Sequence, residues 1–183
     1  GGHIAFQIKE IADLCKKKGI ILIEDCAHAH GASWNSRKAG TWGDAGIYSF
    51  YSTKTISTGE GGMLVSMNKN LINYAKKYRN YGKFEYDVEG LNYRMNEFTA
   101  ALGCVQVDRL DDIVEWKNEY AKKNLDPKFR LTVQFPEGMV SGFYKYIIFE
   151  PIEKSTGKVY DQPCHRILKK DYEFLLHREP TRH

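Results

Sequence analysis

Apolar and polar positions recur along this chain with two different periods, and the switches between them outline its elements. Ile4, Ile8, Ile11, Ala12 and Cys15 fall at helical spacing with lysine and glutamate between them, which predicts an amphipathic helix of about four turns. Lys16, Lys17 and Lys18 suit the negative end of its dipole, and Gly19 suits its cap. Ile20-Ile21-Leu22-Ile23 follows at once. An unbroken run of this kind predicts a parallel strand covered on both faces. Helix, short turn and buried strand make half of a βαβ unit, so the pattern predicts an α/β fold.

Further along, 46–51 reads as a second strand and 61–66 as a third, short one. Residues 68–79 predict a helix with Leu71, Ile72 and Ala75 inward, and 81–91 a glycine-bearing loop rich in tyrosine and acid. Asn96 is placed to cap a long helix running to about Lys123. Phe98, Leu102, Val105, Leu110, Ile113 and Trp116 supply its apolar face, which reads as core. Near Asn124-Leu125-Asp126-Pro127 the pattern changes to shorter strands, at 131–135 and 142–151, with a turn at 155–157. A domain boundary is expected there, dividing 1–123 from 124–183.

Composition narrows the function classes. With 183 residues and 42% hydrophobic content, a packed core is expected and disorder is not. A net charge of +4 tolerates an anionic substrate but does not argue for nucleic acid. No apolar segment approaches the roughly 20 residues of a membrane helix, so no membrane partner is expected. Cys15, Cys26, Cys104 and Cys164 are scattered without a C-x-x-C pair, as free thiols of a reducing, cytoplasmic compartment would be.

Two stretches carry candidate chemistry. The first strand runs into Glu24-Asp25-Cys26-Ala27-His28-Ala29-His30-Gly31, and open α/β sheets place ligands at such carboxyl ends. Three readings of Asp25, His28 and His30 stand together. They are a polar strand end with satisfied side chains, a metal site, and a cofactor site with Asp25 facing a pyridinium nitrogen. The metal reading is the weakest, because the segment is a loop without a partner downstream. The second stretch puts Lys54 among Ser49, Tyr51, Ser52, Thr53, Thr55, Ser57 and Thr58, with Gly59, Gly61 and Gly62 after it. Partly desolvated lysine amines form Schiff bases with carbonyl compounds, and clustered hydroxyls and glycine amides suit a phosphate. Taken alone, Lys54 reads first as a solvated surface lysine, as most lysines are. Cys164, His165 and Arg166 suggest a nucleophile and a base, but adjacent side chains need not meet, and no catalysis is assigned to them.

Taken in order, Glu24-Asp25-Cys26-Ala27-His28-Ala29-His30-Gly31-Ala32, Ser49-Phe50-Tyr51-Ser52-Thr53-Lys54, Thr58-Gly59-Glu60-Gly61-Gly62-Met63 and Asn92-Tyr93-Arg94-Met95 resemble the DegT/StrS family. These are pyridoxal-phosphate-dependent sugar aminotransferases of fold type I. The resemblance implies an α/β/α sandwich large domain, here lacking its N-terminal part, and part of a small α+β C-terminal domain. It implies that Lys54 holds pyridoxal 5′-phosphate covalently and that Asp25 pairs with its pyridine nitrogen. By the same resemblance His28 lies beside the ring, Ser49 binds the phosphate, and Asn92 reaches the phosphate of a neighbouring subunit's cofactor in a homodimer with shared sites.

The implied reaction is transfer of an amino group, with L-glutamate as donor, to a nucleotide-linked ketosugar in amino-sugar and surface-polysaccharide biosynthesis. Relatives with histidine in place of the lysine act as dehydratases, so Lys54 favours transamination. A regulatory relative that binds the cofactor without turnover, and an inactive fragment of such an enzyme, are the alternatives.

Overall fold

The computed structural model describes residues 1–129, 133–150 and 166–168. Helix α1 (Ile8–Lys18) forms where the apolar spacing is regular. It starts later than the periodicity predicts, because Ile4 is buried in the segment leading into it. Gly19 closes it at φ 66°, a left-handed conformation that glycine adopts without strain.

The strands that follow are β1 (Ile23–Asp25), β2 (Ser33–Trp34), β3 (Arg37–Lys38), β4 (Ala45–Ser49) and β5 (Gly62–Val65). β1 pairs parallel with β4, and β4 pairs antiparallel with β5, giving a mixed sheet in the order β1-β4-β5. A parallel pair reached through a connection on one side is α/β architecture, as the pattern predicts. The apolar run is not covered on both faces, however. Pairing begins only at Ile23, and Ile20, Ile21 and Ile23 are 57%, 75% and 59% exposed. Among the described residues β1 pairs with β4 alone and stands at the edge of the sheet. A cavity of about 670 Å³ opens between α1 and this run, lined by Ile20, Ile21, Leu22 and Trp42 among others.

The segment between β1 and β4 holds the short hairpin β2–β3. β6 (Met139–Val140) adds to β2, so the chain beyond the expected boundary returns to the first half. Small residues make this junction tight: Cys26, Ala29, Ala32 and Ala39 are buried with Ile4 and Ile8, and Leu22, Trp34, Trp42, Tyr48 and Met139 pack against them.

Helix α2 (Lys69–Tyr78) is capped by Asn68, whose side chain accepts from the Asn70 and Leu71 amides. The single long helix expected after Asn96 is instead two. α3 (Glu97–Asp108) stops at Arg109, whose φ of −90° and ψ of −4° loosen the turn without leaving the right-handed region, and α4 (Leu110–Tyr120) runs on into a π-helical turn, Ala121–Leu125. The break lets α4 lean on the turn after β1: a Cβ at Gly31 would sit 2.5 Å from Val114 Cγ2. The predicted apolar face is therefore not one face. Val114, absent from it, is buried, whereas Phe98, Leu102, Val105 and Trp116 are exposed, Phe98 at 91%.

Of the strand predicted at 142–151, only β7 (Ile148–Glu150) is regular, and it pairs parallel with β8 (Arg166–Leu168). Residues 133–135 are not a strand. The predicted turn at 155–157, together with Cys164 and His165, lies outside the described residues. Among the described residues no helix is long and apolar enough to cross a membrane.

Candidate functional site

β1 and β4 run parallel, so their carboxyl ends, Asp25 and Ser49, open on the same edge of the sheet. Neighbouring side chains on a strand face opposite ways, and the two acids of β1 accordingly do different work. Glu24 turns to the loop 40–43. Its Oε2 accepts from the Gly40 amide at 2.9 Å, and its Oε1 accepts from the Trp42 and Gly43 amides at 2.6 and 2.8 Å. Asp25 Oδ1 accepts from the Ala27 amide at 3.0 Å and so starts the turn that carries His28.

His30, 1% exposed, ties that turn to β4. Its Nε2–H donates to the Ser49 carbonyl at 2.8 Å, while Nδ1 is buried without a hydrogen-bond partner. Burial is the main cause holding its pKa below the usual histidine value, against the opposing effect of the Ser49 carbonyl. A neutral ring with its proton on Nε2 follows. His28 is also held below its usual pKa, first by burial, then by Lys54, the N-terminal amine and Lys145, with Asp25 opposing.

After β4 the chain makes the tight turn that bears Lys54. Ser49 Oγ accepts from the Tyr51 amide at 3.3 Å, and the Lys54 amide donates to the Tyr51 carbonyl at 2.9 Å. Several of the clustered hydroxyls are spent inside the protein. Ser57 Oγ donates to the Phe50 carbonyl, Thr58 Oγ1 donates to the Glu60 carbonyl, and Thr55 Oγ1 accepts from Lys117 Nζ at 3.1 Å. They shape the turn, and Ser49 is left beside it at the strand end. Lys117 is half-buried and its pKa is lowered by that burial.

A further residue joins this group from far along the chain. The Tyr144 ring stacks on His28 at 4.0 Å between centroids and 6° between planes. Lys54 Nζ lies 5.4 Å from the Tyr144 ring centroid, and the Tyr144 hydroxyl is 3.3 Å from Thr53 Oγ1. Asp25, His28, Ser49 and Lys54 thus gather on two adjacent turns. Asn92 stands apart from them: its backbone bridges to Asn80, and its Oδ1 accepts from Arg94 Nε at 3.1 Å. The same motif still reaches the glycine cluster, since Met95 Cε lies 2.9 Å from where a Cβ on Gly61 would stand.

Sequence reasoning missed Glu24, Asn118, Lys117 and Tyr144. For Glu24 the signal was available, because the alternation that points Asp25 one way points its neighbour the other. For Tyr144 the only cue was an aromatic pair next to the small residues Ser141 and Gly142. An amine, a carboxylate, a flat imidazole face and a strand-end hydroxyl form a donor set suited to an aromatic aldehyde carrying a phosphate. The residues present fit such a group: Lys54 and Asp25 both lie close enough to His28 to act on its charge, at the carboxyl ends of two parallel strands.

A family model described as the DegT/DnrJ/EryC1/StrS aminotransferase family matches residues 1–146. Over 123 residues the chain is 40% identical to the GDP-perosamine synthase of Vibrio cholerae, a match covering 64% of this chain and 34% of that protein. It is 39% identical over 126 residues to UDP-4-amino-4,6-dideoxy-N-acetyl-beta-L-altrosamine transaminase of Campylobacter jejuni, covering 65% of this chain and 33% of that one. Among solved structures, the aminotransferase TlmJ from Streptoalloteichus hindustanus superposes with a TM-score of 0.72 at 31% identity, over 78% of this chain and 42% of that one. The chain spans about a third of the length of the curated relatives it matches.

Proposed function

This chain belongs to the DegT/DnrJ/EryC1/StrS aminotransferase family, and from that premise we propose that its gene product is a pyridoxal-phosphate-dependent transaminase of a nucleotide-linked ketosugar. The observation that carries the reading is the meeting of Lys54, His28, Asp25 and Ser49 on the turns after two parallel strands. The nucleotide-sugar substrate is supported by the names of the two curated relatives. L-glutamate as donor, a role in surface-polysaccharide biosynthesis and a cytoplasmic site of action complete the proposal.

In this reading Lys54 Nζ anchors the cofactor. Pyridoxal phosphate, when bound, supplies the electron sink that makes an amino acid's Cα–H acidic. With the cofactor and an amino donor in place, the Lys54 amine would also be the base that removes the proton from the donor's Cα. Asp25 holds a proton on the pyridine nitrogen, because an opposite charge favours the charged form. Ser49 Oγ donates to the phosphate, and neutral His28 lies beside the ring. Asn92 serves the cofactor of a neighbouring subunit. Exposed Phe98, Leu102, Val105 and Trp116 offer apolar area for that homodimer. Residues 1–123 are assigned to the large domain and 124–183 to the small one.

Borohydride trapping tests the reading. The gene product is mixed with pyridoxal phosphate, reduced and digested, and the labelled lysine is found by mass spectrometry. Label concentrated on Lys54 is expected and should vanish in Lys54→Ala. A wild-type protein that carries no label there ends the proposal.

A further inference from the structure

We propose that Tyr144 is a positioning residue of the site, holding the His28 ring flat and fixed beside Lys54. The proposal rests on the cofactor reading of Lys54 and His28. It begins with the backbone that delivers Tyr144. Residues 141–145 form a strap crossing the turn after β1. The Gly142 amide donates to the Gly2 carbonyl at 2.7 Å, and the Lys145 amide to the Gly1 carbonyl at 3.3 Å. A Cβ on Gly2 would lie 2.6 Å from the Tyr144 nitrogen and 2.8 Å from the His28 carbonyl oxygen. A Cβ on Gly142 would lie 2.4 Å from the His30 carbonyl oxygen. Only glycine at both positions allows this approach.

The strap is also held from its other side. Ser141 is buried, its Oγ donates to the Gly2 carbonyl, and its own carbonyl accepts from Asn118 Nδ2 at 2.8 Å. Asn118 anchors the same amide nitrogen to the Val114 carbonyl one turn back on α4. The backbone of Tyr144 is therefore clamped between residues 1–2, the 28–30 turn and α4.

What the clamp delivers is one ring that touches both halves of the site. Its face covers His28 at 4.0 Å, and its hydroxyl meets Thr53, the residue before Lys54. Lys54 Nζ and Lys145 Nζ stand 5.4 and 4.8 Å from its centroid. An imidazole at the surface turns freely about two bonds. A parallel ring against it removes that freedom, and partial burial, with the charges of Lys54 and Lys145 nearby, holds its pKa below the usual histidine value against the pull of Asp25.

The test compares Tyr144→Leu, which keeps an apolar side chain but removes the ring, and Tyr144→Phe, which keeps the stacking face, with the wild type. Each protein is loaded with pyridoxal phosphate and trapped with borohydride. Cofactor retention on gel filtration and the circular dichroism of its visible band, which reports ring orientation, are measured on a separate, unreduced portion of each protein. Lys54 should be labelled in all three. Tyr144→Leu should retain the cofactor about 2- to 10-fold less well, the factor a lost aromatic pair corresponds to, and its visible dichroism should change. Tyr144→Phe should match the wild type in both. If Tyr144→Leu keeps wild-type retention and dichroism while Lys54 is labelled, the positioning role is wrong and the cofactor reading survives. If Tyr144→Phe fails as Tyr144→Leu does, the hydroxyl contact with Thr53 is the operative one and the stacking proposal is overturned. No label on Lys54 in the wild type removes the cofactor reading and this inference with it.

Discussion

Replacing Glu24 by glutamine removes one negative charge and changes no atom count, yet the geometry makes it a severe change. The carboxylate accepts three backbone N–H groups, two on Oε1 and one on Oε2. An amide can present its oxygen to Trp42 and Gly43, but its NH₂ then faces the Gly40 N–H, donor against donor. A hydrogen bond to a charged acceptor contributes about 1.5–3 kcal/mol and a neutral one about 0.5–1.5. One bond is lost and two are weakened, and Glu24 is only half-buried, so roughly 2–4 kcal/mol of local stability should go. At 1.4 kcal/mol per factor of ten, that is roughly 30- to 1,000-fold faster amide exchange at Gly40, Trp42 and Gly43. Hydrogen exchange followed by mass spectrometry on the peptide spanning 40–43 reads this directly, with α2 as the internal control. The loosening should spread to β4, because a Cβ on Gly46 would lie only 2.4 Å from Gly40 Cα and the Tyr48 hydroxyl donates to the Ala39 carbonyl. A change below about threefold at the three amides would refute the view that this carboxylate pins the loop.

Three further outcomes follow from the same contacts. Gly31→Ala meets Val114 Cγ2 at 2.5 Å and forces alanine to φ 72°, so it should destabilise the protein by roughly 2–4 kcal/mol in urea unfolding; a loss under about 0.5 kcal/mol would contradict the packing of α4 on this turn. Asn118→Ala leaves the Val114 and Ser141 carbonyls without this donor and should cost about 1–3 kcal/mol, with faster exchange in 141–145; unchanged exchange there would show that the strap is held otherwise. His30 has a folded-state pKa below the unfolded value near 6.5, so the unfolded chain takes up the proton first and stability, full above about pH 6.5, falls as pH drops below it, by up to about 1.4 kcal/mol per pH unit for this group. His3 and His28 act with the same sign. Urea midpoints between pH 5 and 7.5 should therefore slope less steeply in His30→Gln, and equal slopes would exclude the buried neutral ring.

Asp25, His28, Ser49 and Lys54 were legible in the sequence because each lies within a few residues of the end of a strand whose pattern is strong. Strand position, alternation and turn residues are local properties, and local properties survive in a one-dimensional reading. Tyr144 was not legible for the opposite reason: its partners His28 and Thr53 lie in the first third of the chain, and an aromatic residue flanked by Lys145 and Phe143 reads simply as strand. The long helix was misjudged at Arg109 because periodicity carries no mark of a break imposed by packing. α4 leans on Gly31, and that contact, between residues far apart in sequence, decides where the apolar face turns. The Ile20–Ile23 run shows a different failure. Its composition announces a buried strand, but only Ile23 of the run is paired, and pairing and cover both depend on neighbours that a composition cannot name.

The glycines join these two kinds of reading. Gly2, Gly31 and Gly142 stand at points where a Cβ would approach another segment to 2.6, 2.5 and 2.4 Å. A glycine is visible in the sequence, yet the contact it permits is not. At Gly31 the missing side chain lets α4 close on the turn after β1. At Gly2 and Gly142 it lets the strap close on the same turn from the other direction. The turn that holds His28 and His30 is thus gripped twice, and each grip comes from a segment outside the motifs that reveal the chemistry. The reacting groups are specified locally, but their rigidity is supplied by distant parts of the chain, and rigidity is what a site of this kind requires of its ring-facing residues.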